Sequence, residues 1–302
     1  MHSKKTILLI INPISGRGDK TELMESLEMS LAERDYELEV CETTGDNNKD
    51  IEKIRATIEK AHPHRVLVAG GDGTIQLVAD ALKGTDHILG ILPYGSANGF
   101  AVNLEIPGTL DEQLAVALGE EIIETDLLEL NGHLCIHIAD MGVNAELIKN
   151  YDNATIRGKL GYVLQSIPSL ISADFPYKFH IEAKGRKYIK EGILLAIANA
   201  NKFGTGANIN PTGRLNDGRF ELVIFKSFNL VEMVKTLAGQ EELHPDFAET
   251  ISTDKATIHC DAPVALQVDG EFIGEVQDVT VSLASGTVKI AVPPSFAATC
   301  EK

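Results

Sequence analysis

The sequence has little cysteine and no long apolar run. The four cysteines are scattered, and no two of them form a C-x-x-C pair: Cys41, Cys135, Cys260 and Cys300. This usage is typical of reduced, buried thiols in a cytosolic protein rather than of a disulfide framework. The apolar run Ile7–Ile11 is too short for a signal peptide, and no run approaches the length of a membrane span. We therefore expect a cytoplasmic protein.

Basic residues are scarce relative to acidic ones. Lys and Arg number 27 against 44 Asp and Glu, so the formal net charge is −17. Because the phosphates of a nucleic acid would be repelled, we expect no nucleic-acid partner. The chain has 302 residues, of which 44% are hydrophobic, and its mean hydropathy is near zero. These values predict a globular protein that is long enough for two domains.

A glycine-rich turn is the most informative local pattern. The apolar run Val66–Ala69 predicts a buried strand, G-G-D-G-T follows at Gly70–Thr74, and the next residues have helical apolar spacing. Glycines let the backbone approach a ligand, and the N–H groups at a helix start attract an anion. Asp72 lies where Mg²⁺ would favour a carboxylate. The alternative is an ordinary βα turn in which Asp72 or Thr74 caps the helix.

Three other loops also follow predicted strands. These strands are Ile7–Ile11, Glu37–Glu42 and Ile88–Leu92. Helices are predicted between the strands, at Thr21–Arg34, Asp50–Ala61 and Leu110–Leu118. This alternation predicts a doubly wound parallel α/β sheet, in which ligands bind beyond the carboxyl ends of the strands. The four loops at that edge are Asn12–Gly18, Thr43–Gly45, Gly70–Thr74 and Pro93–Ala101.

The pattern changes near Glu124 to short strands separated by Asn-Gly, Asp-Gly and Lys-Gly turns, which predicts an antiparallel β-sandwich. We predict an α/β domain over residues 1–124 and a β-sandwich domain over 125–292, with residues 293–302 returning to the first domain. Helices are predicted at Gly158–Ala173 and Leu230–Ala238. The predicted strands are Thr125–Leu130, His133–Ala139, Phe179–Ala183, Gly192–Ala198, Arg219–Lys226, Ala256–Cys260, Val264–Val268, Val279–Leu283 and Val288–Val292.

In these motifs the chain resembles the diacylglycerol kinase catalytic-domain superfamily, specifically its bacterial soluble lipid kinases. N-P-I-S-G-R-G (Asn12–Gly18) is similar to the family's N-P-x-S-G-x-G, and G-G-D-G-T is identical. P-Y-G-S-A-N-G-F-A (Pro93–Ala101) is similar to P-x-G-T-A-N-D-F-A. Further matching segments are Asp126, Arg157–Tyr162, Leu215–Phe220 and Val268–Glu271. G-G-D-G-T alone is shared with NAD kinases, whereas the ordered set is highly specific.

The resemblance implies an ATP- and Mg²⁺-dependent lipid kinase with its active site between two domains. The residues that it assigns to ATP are Asn12, Pro13, Ser15, Gly16, Arg17, Thr44, Gly70, Gly71, Asp72, Gly73, Thr74, Gln76, Ser96 and Asn98.

The same resemblance gives candidates for the chemistry. Glu271, helped by Asp269, is the candidate proton acceptor, although some relatives assign that role to the position of Asp72. We favour Asp72, with Asp126, as the residue that organises the catalytic Mg²⁺ through water. A second, structural Mg²⁺ would take Asp217 and the backbone oxygens of Arg214 and Arg219. Glu146 aligns with an acidic position on the substrate side.

Two departures from the family pattern bear on the function. This chain has Gly99 where the family has Asp, and Gln76 where it usually has Asn. They keep open a non-catalytic nucleotide- or lipid-binding regulator as an alternative. An NAD kinase-like enzyme is another alternative, but the Asn-Glu pair expected after the turn is missing.

The acceptor is not specified by the sequence, since diacylglycerol, phosphatidylglycerol or a sphingoid base would all suit. The helix predicted at Gly158–Ala173 is a candidate for the acyl-chain groove or for a core helix. Basic residues outnumber acidic ones around it, which favours peripheral membrane contact or a solvated face. They are Arg157, Lys159, Lys178, Lys184, Arg186, Lys187 and Lys190. A homodimer is a further hypothesis.

Overall fold

The computed structural model describes residues 4–13, 20–145, 176–203, 206–227 and 243–300. The helices predicted at Gly158–Ala173 and Leu230–Ala238 lie outside the described residues. The chain divides into two compact units, of which the first comprises Met1–Leu127 and Ser285–Lys302 and the second Leu128–Ala284. No helix in the described parts of the chain is long and apolar enough to cross a bilayer.

The first unit begins with alternating strands and helices, as the sequence predicts. These are β1 (Lys5–Ile11), α1 (Lys20–Glu33), β2 (Tyr36–Glu42), α2 (Asn47–Ala61), β3 (Arg65–Gly70), α3 (Asp72–Leu82), β4 (Ile88–Pro93), α4 (Gly99–Asn103), α5 (Leu110–Ala117) and β5 (Ile122–Thr125).

The second unit contains twelve strands within the described residues. These are β6 (Leu128–Leu130), β7 (His133–Cys135), β8 (Ile138–Gly142), β9 (Tyr177–Ala183), β10 (Arg186–Gly192), β11 (Leu194–Ala198), β12 (Lys202–Phe203), β13 (Ala207–Asn208), β14 (Phe220–Phe225), β15 (Ala248–Thr253), β16 (Lys255–Val268) and β17 (Glu271–Leu283). The chain then returns to the first unit with β18 (Val288–Ala291) and α6 (Pro294–Cys300).

The first sheet has the strand order β2-β1-β3-β4-β18-β5. The pairs from β2 to β18 are parallel, and only β18 and β5 are antiparallel. The order 2-1-3-4 places a topological switch point between β1 and β3, where open α/β sheets bind ligands. The central strands β1, β3 and β4 are apolar on both faces because helices cover them; Leu9, Leu67 and Val68 have no exposed surface.

The second unit is an antiparallel β domain built around one long strand. Residues Ala256–Cys260 of β16 pair with β9, whereas Leu266–Val268 pair with β8, and the register with β17 shifts between these two parts. The sheet therefore changes partners along β16 and encloses one apolar core, which includes Phe179, Phe220 and Leu266. The two strands predicted at Ala256–Cys260 and Val264–Val268 are thus one strand with a bulge.

The division of the chain differs from the expected one at both junctions. The stretch predicted as one strand at Thr125–Leu130 is split, since β5 joins the first sheet and β6 the second. Strand β18, which we expected in the second domain, pairs with β4 and β5 in the first sheet. Short apolar strands have the same pattern in either sheet, so only their hydrogen-bonding partners decide where they belong.

Candidate active site

Asp72 joins two of the loops at the carboxyl edge of the first sheet. It is the first residue of α3, and its carboxylate accepts hydrogen bonds from the backbone N–H groups of Gly99 (3.0 Å) and Phe100 (2.9 Å). These N–H groups are the unpaired donors of the first turn of α4, for which a carboxylate is a favourable partner. The contact made by Gly99 uses only its backbone, so it does not require the aspartate that the family has there.

The same two loops touch through their glycines. A Cβ placed on Gly95 would lie 2.3 Å from the Cα of Gly71 and 2.7 Å from Oδ1 of Asn98. Asn98 adopts a left-handed conformation (φ 56°), and its side-chain amide bonds both the N–H (2.8 Å) and the C=O (3.1 Å) of Gly95. A Cβ on Gly70 would lie 2.6 Å from the Cβ of Thr74. The glycine spacing thus reflects close backbone packing as well as access for a ligand.

Asp50 organises the loop after β2, and our sequence analysis missed this role. Its carboxylate is 1% exposed and accepts hydrogen bonds from the N–H groups of Thr44 (2.9 Å) and Gly45 (3.0 Å) and from the Thr44 hydroxyl (2.9 Å). The sequence marked Asp50 only as a residue at the start of a helix, because its partners are set by how α2 packs.

The loop after β1 is described in part. Asn12 and Pro13 follow the strand, and the carbonyl of Asn12 accepts a hydrogen bond from the ammonium group of Lys20. Burial lowers the pKa of Lys20, whereas Glu42 acts in the opposite direction. The predicted ATP ligands Ser15, Gly16 and Arg17 lie outside the described residues.

The remaining predicted residues of this unit are distributed around these loops. Gln76 is half-buried in α3, Ser96 is exposed after β4, and Asp126 is half-buried just after β5. Gly73 and Thr74 belong to the first turn of α3, and the N–H of Thr74 bonds the carbonyl of Gly71 at 3.0 Å.

In the second unit, Asp269 is buried and holds the segment before β8. Its carboxylate accepts hydrogen bonds from the N–H groups of Ile136 (2.9 Å), His137 (2.9 Å) and Ile138 (3.1 Å) and from the Cys135 thiol (3.2 Å). Burial raises the pKa of Asp269, and the bond from Ile136 acts in the opposite direction. The side chain is only 7% exposed, which favours a positioning role over direct proton transfer.

Glu271 lies on the other side of a tight turn from Asp269. Asp269 (φ 49°) and Gly270 (φ 92°) are both left-handed, as in the turns that suit two-residue hairpins. Val268 pairs with Glu271 across the turn, and Glu271 is exposed at the start of β17. The turn therefore separates the two carboxylates, and Glu271 is the one that solvent reaches.

A second buried carboxylate, Asp140, was not among our predicted residues. It is fully buried, and its Oδ2 accepts hydrogen bonds from the side-chain amides of Gln267 and Asn144 (2.7 Å). Burial raises its pKa to about 7, although bonds from Gln267, Asn144 and the Ala145 backbone act in the opposite direction. The sequence contains no signal for this cluster, because cross-strand pairing of β8 and β16 creates it.

The predicted structural metal site lies in the exposed turn before β14. Asp217 Oδ1 accepts a hydrogen bond from the N–H of Arg219 (3.0 Å), and Gly218 is left-handed (φ 69°). One carboxylate with carbonyl oxygens from Arg214 and Arg219 is a donor set that suits Mg²⁺. Within the described residues, no group of three or more His, Cys, Asp or Glu side chains is placed to hold a metal. Glu146, the predicted substrate residue, lies outside them.

The two units together define the class: a parallel α/β domain with a loop-lined carboxyl edge, followed by an antiparallel β domain. Residues 6–130 match the model of the diacylglycerol kinase catalytic domain. Residues 137–292, more than half of the chain, match the YegS C-terminal NAD kinase beta sandwich-like domain. The chain therefore belongs to the diacylglycerol kinase catalytic-domain family with a YegS-type second domain, and it is an enzyme of the lipid kinase class.

Individual proteins are similar to this chain in sequence or in fold. The chain is 28% identical over 260 residues to the probable lipid kinase YegS of Salmonella newport, covering 80% of this chain and 86% of that protein. A diacylglycerol kinase from Bacillus anthracis has the same fold, with a TM-score of 0.73 at 22% identity over 98% of this chain and 99% of that one. An NAD kinase from Archaeoglobus fulgidus has a TM-score of 0.50 at 13% identity, over 97% of this chain and 96% of that one.

We predict that Gly95→Ala destabilises the first unit, because the new Cβ would overlap the backbone of Gly71 and force the two loops apart. Overpacking of this kind costs roughly 1–3 kcal/mol. Gly108→Ala is the matched control, since its Cβ would meet nothing within 4 Å. Unfolding in denaturant measures both variants, and equal free energies of unfolding would contradict the close loop contact.

We predict that Asp140→Asn changes how stability depends on pH. The raised pKa means that ionising Asp140 costs more in the folded than in the unfolded protein. The free energy of unfolding of the wild type therefore falls as pH rises from about 4, the usual pKa range of the unfolded carboxyl, to about 7, the pKa in the folded protein. The asparagine variant should gain stability relative to wild type over that range, by up to about 4 kcal/mol at about 1.4 kcal/mol per pKa unit. Parallel pH profiles of the free energy of unfolding would exclude a raised pKa.

Proposed function

We propose that this protein transfers the γ-phosphate of ATP to the hydroxyl group of a lipid, in a reaction that depends on Mg²⁺. The observation that carries the proposal is the joined pair of loops at the edge of the first sheet, in which Asp72 binds the start of α4 and glycines pack backbone to backbone. The edge also contains the N-terminus of the 11-residue helix α3, a favourable site for a phosphate group.

The arrangement of the loops fits a nucleotide. The loops after β1 and β3 flank the switch point of the sheet, which supports binding of ATP by Asn12 and by Gly70–Thr74. Asp50 fixes the loop that carries Thr44, so the proposed contact between Thr44 and ATP is preorganised. Because glycines line the approach, no Cβ would keep the phosphates away from the backbone N–H groups.

The carboxylates fit Mg²⁺, which would neutralise charge on the transferred phosphoryl group when bound. We propose that Asp72 and Asp126 hold the catalytic ion through water, since each carboxylate oxygen has acceptor capacity beyond one hydrogen bond. Asp217, with the backbone oxygens of Arg214 and Arg219, would hold a second, structural ion.

Glu271 is the residue that we propose as the proton acceptor for the attacking hydroxyl. Glu271 is exposed at the start of β17, whereas Asp269 is buried and its carboxylate accepts hydrogen bonds from three backbone N–H groups and a thiol. Asp269 then acts by fixing the turn that presents Glu271. A carboxylate within hydrogen-bond reach of the hydroxyl is suited to this task.

The lipid acceptor is proposed from the family, and diacylglycerol-like, phosphatidylglycerol-like and sphingoid alcohols are the candidates. Peripheral contact with an anionic membrane is a further part of the proposal, since basic residues lie on the exposed hairpin of β9 and β10. Lys190 does not contribute, because it is paired with Glu249 at 2.9 Å. The exposed basic residues of the hairpin are Lys178, Lys184, Arg186 and Lys187.

We predict that the wild type transfers labelled γ-phosphate from Mg·ATP to a component of a total-lipid extract, and that Glu271→Gln lowers this transfer to a small residual rate. Loss of a general base lowers kcat by about 10²–10⁴-fold, whereas ATP affinity should stay within about twofold because the nucleotide residues lie in the other unit. Glu275→Gln, at another exposed position of β17, is the matched control.

Three results would contradict the proposal in different ways. Label that appears only as free phosphate would exclude the lipid acceptor. ATP binding without consumption would favour a regulator. Weakened ATP binding with normal turnover in Glu271→Gln would exclude Glu271 as the proton acceptor.

We predict that Asp50→Asn raises the KM for ATP with little change in kcat. The amide presents an NH₂ group to the N–H groups of Thr44 and Gly45, so the loop loses hydrogen bonds to a charged acceptor. Such bonds contribute about 1.5–3 kcal/mol, and a loss at the lower end corresponds to roughly tenfold in KM. Asp46→Asn, at the exposed N-cap of α2, is the control. An unchanged KM would show that this loop does not contact ATP.

A further inference from the structure

The side chain of Gln267 connects a buried carboxylate to the turn before Glu271. Gln267 is 1% exposed and is the direct cross-strand partner of Asp140. Its Nε2 donates a hydrogen bond to Oδ2 of Asp140, and its Oε1 accepts one from the backbone N–H of Gly270 at 2.7 Å. Both ends of the amide are therefore used, one on the neighbouring strand and one in the turn.

Asp140 determines which way the Gln267 amide points. Oδ2 of Asp140 accepts a hydrogen bond from Asn144 as well, and a carboxylate oxygen without a proton can only accept, so the NH₂ end of the Gln267 amide must face it. The carbonyl end is then directed to the N–H of Gly270. Asn144 donates to the same oxygen of Asp140 at 2.7 Å and so helps to hold the carboxylate in place.

A hairpin turn does not by itself need this arrangement. An Asp-Gly pair already favours the left-handed conformations that the turn requires. Asp140 has no exposed surface, and burying a carboxylate costs free energy. This cost is reflected in the raised pKa of Asp140. Buried titratable groups of this kind are concentrated at functional sites.

We propose that Asp140 and Gln267 are positioning residues for the kinase reaction, because they fix the peptide of Gly270 and thereby the direction of the Glu271 carboxylate. This inference rests on the proposed role of Glu271 as the proton acceptor. Asp269 holds the turn through its own hydrogen bonds to Ile136, His137 and Ile138, so the turn before Glu271 is held at a second point.

The test replaces Gln267 with glutamate, which keeps the acceptor for the Gly270 N–H but removes the donor to Asp140. Two carboxyl groups then face each other, and the turn should shift unless one of them is protonated. We expect Gln267→Glu to lower kcat at least tenfold at pH 8 and less at pH 6, with the KM for ATP within twofold of wild type. Gln277→Glu, an exposed position of β17, is the matched control and should leave kcat unchanged.

Exchanging the two groups should restore activity. In Asp140→Asn/Gln267→Glu the asparagine NH₂ can donate to the glutamate, whose other oxygen accepts from Gly270, and the Asn144 amide can turn so that its oxygen accepts from the same NH₂ group. We expect kcat within about threefold of wild type. If a folded double variant, with the wild-type melting temperature, is no more active than Gln267→Glu, the proposal is wrong. If Gln267→Glu does not fold, the double variant is compared with the wild type alone. A kcat of the folded double variant within about threefold of wild type supports the proposal, and a kcat at least tenfold lower contradicts it.

The Glu271→Gln background separates this proposal from the one on which it rests. There Gln267→Glu should cause no further loss of residual turnover, because Asp140 and Gln267 are proposed to act only through Glu271. A further tenfold loss would overturn the positioning proposal. If Glu271→Gln is fully active, the proton-acceptor assignment and the positioning proposal both fail. If Glu271→Gln is inactive but Gln267→Glu is fully active, only the positioning proposal fails.

Discussion

The bond between the Asp72 carboxylate and the start of α4 is the constraint on which the first unit's candidate site depends. It joins the G-G-D-G-T turn after β3 to the loop after β4, two segments 27 residues apart in the chain. The glycine contact between Gly71 and Gly95 allows that approach, since a side chain at Gly95 would prevent it. A nucleotide would therefore meet a surface whose shape is set before binding, which lowers the ordering cost of recognition.

In the second unit, carboxylates also hold a turn in place. Asp269 lies within the hairpin turn and accepts hydrogen bonds from backbone N–H groups, and Asp140 contacts the same turn through Gln267. The exposed Glu271 follows that turn. Under the proposed function these two buried carboxylates orient Glu271, because a catalytic group requires support from residues that do not react.

Much of this was predictable from sequence because it depends on local pattern. The apolar run Val66–Ala69 followed by G-G-D-G-T predicted a strand, a turn and a helix. Strand β3 and helix α3 confirm the strand and the helix, although the helix begins at Asp72 and leaves only Gly71 between them. Asp50 and Asp140 were not predictable as buried hydrogen-bond acceptors. Their partners come from the packing of α2 in one case and from strand pairing in the other, and no short-range pattern encodes either.

The sequence by itself determined the fold class, the order of the loops and the family, since periodicity and motif spacing are properties of the chain. Tertiary structure alone decided that β18 belongs to the first sheet, that Asp269 is buried while Glu271 is exposed, and that Gln267 joins Asp140 to the turn. The physical reason is that burial and hydrogen-bond partnership arise between distant segments. A residue's type limits what it can bond, but its neighbours in space select the bond that forms.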